Sequence, residues 1–472
     1  MTQYWEELAA DKRARLAKTI PAGILSEAEL KITEPSAADL ASKLAAGQLT
    51  SVEVTLAFFT TPPYGTVKLT LASVQTNCAL ECFPDAALAQ ARELDEYYAK
   101  HKRPVGPLHG LPVSLKDQLR VKYDEGDSIM TTMLRKAGAV FYVKASVPQT
   151  LMVCETVNDI IGRTVNPRNK NWSDGYRWLD SNAGRVQLPV RSETESWAAA
   201  VCKDGEQHGG SETVHSVVAP ITHSVEGPPL SSFLAFHIIY EAQYRLLHFD
   251  GNVLPHPPIL RGVETTIAAL AKTGHAVTPR TPYKHDFGHG LISHIYAADG
   301  SAVVMRDISA SGEPAIPNIK DLLNPNIKAV NMNELWDTHL QKWNYQMEYL
   351  EKWREAEEKA GKELDAIIAP ITPTAAVRHD QFRYYGYASV INLLDFTSVI
   401  VPVTFANKNI DKKNESFKAV SELDALVQEE YDPEAYHGAP VAVQVIGRRL
   451  SEERTLAIAE EVGRLLGNVV TP

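Results

Sequence analysis

Cysteine is scarce in this chain. Cys78, Cys82, Cys154 and Cys202 are its four cysteines in 472 residues, too few and too irregularly spaced for a disulfide framework, so a reducing compartment is expected. Cys78 and Cys82 have half the spacing of a metal site, but no second Cys/His pair follows at a matching distance. Small buried hydrophobes are the simpler reading, and no metal is expected. Basic charge is also short: Lys plus Arg total 47 against 58 for Asp plus Glu, a formal net charge of −11, with no long Lys/Arg block. Phosphate neutralisation is therefore unsupported, and no nucleic-acid partner is expected. The most apolar window, Tyr387 to Ala406, is interrupted by Asp395 and Pro402 and reads as buried strand and connection rather than a membrane span. The N-terminus, MTQYWEELAADKRARLAK, lacks the apolar stretch of a secretory leader, so a cytoplasmic protein with no membrane partner is expected. No P-loop, GxGxxG after a strand, HExxH, EF-hand loop or 20 to 50-residue repeat occurs.

What remains is an ordinary globular composition, 44% hydrophobic and 22% charged, in a chain long enough for a large core. Apolar residues recur at helical steps from Trp5 to Lys18, from Ser36 to Phe59 with Ser36 and Thr50–Ser51 as N-caps, and from Asp85 to Lys102. The segment GPLHGLPVSLKD then reads as a strand ending near Lys116. Leu134 to Lys144 joins a helix end at Gly138 to a short strand, and Glu363 to Pro370 has the same form. Asn333 to Lys362 and Glu452 to Leu466 read as helices. Helices alternating with short buried strands specify an α/β fold.

Lys116 closes the apolar run Leu111-Pro112-Val113-Ser114-Leu115, behind the approach Gly106-Pro107-Leu108-His109-Gly110. A lysine at such a strand end commonly snorkels into solvent. Walled by apolar neighbours it is instead desolvated, which lowers its pKa and makes it a usable general base. The residues by themselves leave both roles open.

GPLHGLPVSLKDQLRVK, followed by AGAV, VKASVPQT, ETVNDIIGRTVNP and a late PVAVQVIGRR, resembles the amidase signature family, most closely its fungal acetamidase branch. The likeness covers most of Ile32 to Pro472. It implies a central mixed β-sheet flanked by helices on both faces, and hydrolysis of a small aliphatic amide such as acetamide to carboxylate and ammonia. It also implies no metal or organic cofactor, and a homodimer. The family uses a Ser–Ser–Lys triad: a lysine of the SLKD segment, a serine of a GGSS loop, and a nucleophilic serine of a TDIGGSIR-like loop. Lys116 matches the lysine by residue and context.

Neither serine loop follows. After Asn166-Pro167-Arg168-Asn169-Lys170-Asn171-Trp172-Ser173 the chain reads Asp174-Gly175-Tyr176-Arg177-Trp178-Leu179-Asp180-Ser181-Asn182. Reading the codons one base later, successive residue pairs from Asp174 to Asn182 permit TDIGGSIR, with Trp178–Leu179 forcing the second glycine. The pairs onward to Gly210 permit MPAAFNCLY and GLKPSHGRLPYAKMANSMEG, and the family-like reading returns to frame at Ser211. Asp174 to about Gly210 thus reads as the nucleophile region in the wrong frame, with the GGSS loop skipped. No intact nucleophile is expected, since its codon would straddle Leu179 and Asp180.

Rival nucleophiles are weaker. Ser211 follows Gly209-Gly210 but sits at the frame junction and precedes Glu212; Ser173 reads as a turn residue before the missing glycines. His215 and His223 read as structural, because no GxSxG elbow accompanies them. The chain is therefore expected to comprise a helical segment over 1–80 with an insertion near 60–75, then an amidase-signature core over 81–472 disrupted at about 123–128 and 174–210. Its expected partner is a small amide. The rival reading is a catalytically silent amidase-like binding protein, or the product of a misassigned reading frame or a pseudogene.

Overall fold

The computed structural model describes residues 31–33, 35, 37–59, 76–121, 126–166, 169–173, 242–320, 323 and 326–467. The readings placed on Trp5–Lys18, Thr60–Gln75, Tyr123, Asp174–Gly210, Ser211, His215 and His223 lie outside them. The chain forms two compact units, the first holding 31–173 with Gly312–Ile316, the second 242–311 with 317–467.

In the first unit, helices Ala37–Ala45 and Ser51–Phe59 precede β1 (Ala79–Cys82), and helix Pro84–His101 leads to β2 (Pro112–Lys116). Thr50 caps the second helix reciprocally: Glu53 N–H donates to Thr50 Oγ1 at 3.1 Å and Thr50 N–H to Glu53 Oε2 at 2.8 Å. Asp95, from Pro84–His101, accepts the next two amides, Ser51 at 2.6 Å and Val52 at 3.1 Å, placing a carboxylate on the helix N-terminus. Helix Ile129–Lys136 delivers β3 (Val140–Ala145), which lies between β1 and β2, antiparallel to the former and parallel to the latter. Val140 and Val143 pack against Ala87, Ala91 and Leu94 of Pro84–His101. Gly138 enters β3 at φ +91°, with His109 Cα 2.8 Å from where a side chain would begin, so only glycine fits there. The short pair β4 (Val157–Asn158) and β5 (Gly162–Arg163) follows.

The second unit is built on a mixed five-stranded sheet, ordered β7-β6-β8-β10-β9. β6 (Gln243–Leu246) runs parallel to β7 (Ala276–Pro279) and to β8 (Ala366–Pro370); β10 (Pro440–Gly447) runs antiparallel to β8 and to β9 (Thr397–Phe405). Side-chain alternation along the strands explains why helices cover both faces. Ala366, Ile368, Val443 and Val445 face the helices Pro257–Lys272 and Glu452–Leu465. Ile367, Ala369 and Ile446 face His285–Tyr296, Met332–Ala360 and Gly386–Leu394. Each fully buried Ile or Val contributes about 1.5–3 kcal/mol. The expected α/β class with a mixed sheet between helices is what the unit has.

The window Tyr387 to Ala406 differs from its reading. Its first part is the helix Gly386–Leu394, ended by Asp395 in the left-handed conformation, and its second is β9. The run Tyr387–Leu394 is short and mostly buried, with Asn392 exposed, so periodicity separates helix from strand poorly and packing decides. Among the described residues no helix is long and apolar enough to cross a membrane.

Candidate active site

Lys116 is the last residue of β2, in parallel register with Ala145 at the end of β3. The strand carries it there because Leu115, buried beside Ala139 and Phe141, anchors one face. Lys116 as a whole is half-buried, yet its Nζ is fully buried. The strand end at which the sequence reading placed Lys116 is where the structure has it, with its Nζ out of solvent.

The chain just past Lys116 is tied down. Asp117 N–H donates to Ala145 carbonyl at 3.0 Å, and Leu119 N–H turns back to Lys116 carbonyl at 2.9 Å. Lys144, buried on β3, donates from Nζ to Asp117 carbonyl at 2.7 Å and pairs with Asp117 Oδ1 at 3.2 Å. Sequence reasoning missed Lys144, because an ion pair across parallel strands leaves no local pattern.

Beyond β3 the chain folds back. Asn158, buried, donates to Ser146 Oγ at 2.9 Å and Val147 carbonyl at 2.7 Å, while its Oδ1 accepts from Ile160 and Ile161 N–H. Both donors and both acceptor lone pairs of that side-chain amide are thereby committed, which fixes the loop. Ser146 N–H donates to Cys78 carbonyl, and Val165 N–H to Thr76 carbonyl, each at 2.8 Å. Glu155, buried, pairs with Arg163. Ser173 forms an isolated antiparallel bridge with Val165 and is buried, so it is part of this packed layer rather than an open turn. The structure therefore gathers Lys116, the β3 end and the 146–173 fold-back into one unit, and the positions read as Leu179, Asp180 and Ser211 lie outside the described residues.

Cys78, Cys82 and Cys154 are free thiols; burial, with Glu155 adding to it, pushes the Cys154 thiol up to about 12, so it is not a nucleophile. Among the described residues no group of three or more His, Cys, Asp or Glu is arranged to hold a metal.

The family model for Amidase matches residues 66–175 and 245–456. An acetamidase of Emericella nidulans is 69% identical, with all of both chains covered, and an acetamidase of Aspergillus oryzae is 51% identical over 98% of this chain and 99% of that one. The Emericella alignment runs over 555 positions against 472 residues in this chain, a difference of 83, so at least that many positions are empty here. Among solved structures, a fatty acid amide hydrolase superposes with a TM-score of 0.78 and 26% identity, over 99% of this chain and 91% of that one. A peptide amidase of Stenotrophomonas maltophilia shares the fold at a TM-score of 0.60 and 16% identity, over 93% of this chain and 98% of that one.

Proposed function

The chain belongs to the amidase family, hydrolases of the amide C–N bond, and from that premise we propose that its gene lineage hydrolyses a small aliphatic amide such as acetamide, while this chain itself has lost the reaction. The two acetamidase relatives support the substrate class. One observation carries the loss: the matched family segments stop at residue 175 and resume at 245, bracketing the stretch read as the nucleophile loop in the wrong frame.

In the reaction assigned to the lineage, Lys116 is the base. Its unprotonated Nζ takes, through a bridging serine, the proton of the nucleophilic serine as that oxygen attacks the amide carbon. The resulting oxyanion requires convergent backbone N–H donors, which glycines provide because no Cβ blocks their approach. Collapse of the tetrahedral species breaks the C–N bond, and the lysine's proton returns through the bridging serine to the departing nitrogen, releasing ammonia. Water then attacks the acyl-serine by the reverse relay, giving the carboxylate and the free serine. No metal or organic cofactor enters these steps. A lysine without nucleophile and oxyanion donors supplies none of the bond-making, so this chain is read as inactive. Its free thiols suit the reducing cytoplasm.

The test has two parts. Sequencing the transcript across the codons for Val121 to Ser216 is expected to show a GGSS loop and an in-frame TDIGGSIR. The purified chain is expected to release no ammonia from acetamide, whereas a chain with both loops restored releases it and loses that activity on Lys116→Ala. Ammonia release by the present chain, abolished by Lys116→Ala, would overturn the loss. A transcript encoding the present residues, with acetamide raising the thermal midpoint but not consumed, would favour the silent binding protein.

A further inference from the structure

Between the helix Ala302–Ser311 and the short turn Pro317–Ile319, both in the second unit, residues Gly312–Ile316 belong to the first. One side chain holds them there. Gln149, four residues past the end of β3 at Ala145, donates from Nε2 to Pro314 carbonyl at 3.0 Å and accepts at Oε1 from Ile316 N–H at 2.9 Å. Its amide thus pairs with this strap as a neighbouring strand would, and Ile316 is buried. The turn that presents Gln149 is strained. Thr150 and Leu151 are both left-handed, at φ +67° and +63°, a conformation that a β-branched residue adopts at high cost, and Thr150 Oγ1 is buried without a hydrogen-bond partner. Such strain persists where surrounding contacts over-determine it, and the two bonds to the strap are contacts of that kind.

A second contact closes on the same clamp. Asp159 Oδ2 accepts from Gln149 Nε2 at 3.1 Å, and the Asp159 carboxyl is hydrogen-bonded to that of Glu313 on the strap. Two carboxyl groups bond to each other only while they hold a proton between them; ionised together, they repel. We propose that Gly312–Ile316 is a pH-sensitive strap, docked on Gln149 while Asp159 and Glu313 share a proton and released when both are ionised. Charges on the neighbouring elements are engaged elsewhere: Glu155 pairs with Arg163 on the fold-back, Arg306 with Asp307 on the helix before the strap, and Lys320 beyond it is exposed. Burial, with the charge of Glu313 and the bond to it adding, raises the Asp159 carboxyl from 3.8 to about 6. A raised carboxyl favours the docked strap fully below its ordinary value, and that contribution is lost as pH rises through about 6. The strap therefore docks in acid and loosens towards neutrality. Release removes both strap bonds from the turn Gln149–Leu151, which lies just beyond the strand paired with that of Lys116.

Amide hydrogen exchange of the full chain, corrected for the intrinsic pH dependence of exchange, tests this at Ile316, whose N–H is the donor to Gln149. Its protection is expected to fall roughly tenfold between pH ~5 and ~7.5, the ratio given by a carboxyl at about 6 when docked and at 3.8 when released. Val140, whose N–H donates to Leu111 carbonyl in the same unit, keeps its protection, which separates strap release from unfolding of the unit. Asp159→Asn and Glu313→Gln are each neutral at every pH and still able to bond, so each is expected to hold Ile316 protected at both pH values. Gln149→Ala is expected to leave it unprotected at both. Equal protection of Ile316 at the two pH values in the parent, a fall shared by Val140, or a fall that persists in both carboxyl variants would overturn the proposal.

Discussion

Lys144 holds Asp117 twice, donating from its ammonium to the Asp117 carbonyl at 2.7 Å and lying 3.2 Å from the carboxylate. The two residues sit at the ends of adjacent parallel strands, so this clamp sets where the chain turns directly after Lys116. Lys144 is buried while Asp117 keeps a third of its side chain in water. Their ion pair is therefore of uneven solvation, and the carbonyl bond gives it direction.

Replacing Lys144 by Met is accordingly expected to change stability little, because an apolar side chain of similar length fills the site and Asp117 stays hydrated. In a chain with both serine loops restored, the same change is expected to lower kcat by about 100-fold, through displacement of Lys116. Urea unfolding and ammonia release, measured on the same variant, separate the two effects.

Acid is expected to destabilise the second unit through two histidines. Burial drives the His256 and His285 imidazoles down to about 4, with Arg280 adding to the effect at His285. Unfolded imidazoles titrate near 6.5, so between these values the unfolded chain binds more protons. The stability of the neutral rings is complete above that range and lost as pH falls through it. Each contributes a loss of about 2 kcal/mol between pH ~7 and ~5. Denaturant midpoints at the two pH values check this, and His285→Phe should remove about half of the difference, leaving the His256 share.

Arg261→Ala is expected to cost about 3–5 kcal/mol. Its guanidinium forms a two-pronged contact with Asp411, Nε to Oδ1 at 2.7 Å and Nη2 to Oδ2 at 2.9 Å, and also donates to Phe405 carbonyl at 2.8 Å. Asp411 is buried, so truncation leaves an uncompensated carboxylate. Arg261→Lys restores the charge but not the fork, and should recover only part of the loss in a denaturation curve.

Gly138→Ala is expected to cost about 2 kcal/mol or more, combining left-handed backbone strain with an overpacked contact on His109. Because Gly138 accepts from Gly110 N–H at 2.9 Å, the damage should spread to the approach to β2. Hydrogen exchange at Leu111 to Lys116 would report it.

Much of this protein is written in local sequence. The helices Pro84–His101, Met332–Ala360 and Glu452–Leu465 and the strands ending at Lys116 and Pro370 follow from periodicity and end signals, because each displays its apolar side at the step its backbone requires. The family is legible too, since contiguous motifs survive intact around Lys116 and Val441, and the out-of-frame reading proposed from Asp174 onward rests on adjacent residue pairs alone. Tertiary structure decided the rest. That Tyr387 belongs to a helix, that Lys144 clamps Asp117 and Arg261 reaches Asp411, and that one face of Met332–Ala360 stays in water are relations between residues distant along the chain or facing away from it. Burial and ion pairing depend on which surfaces meet, and no periodicity within one segment contains that information.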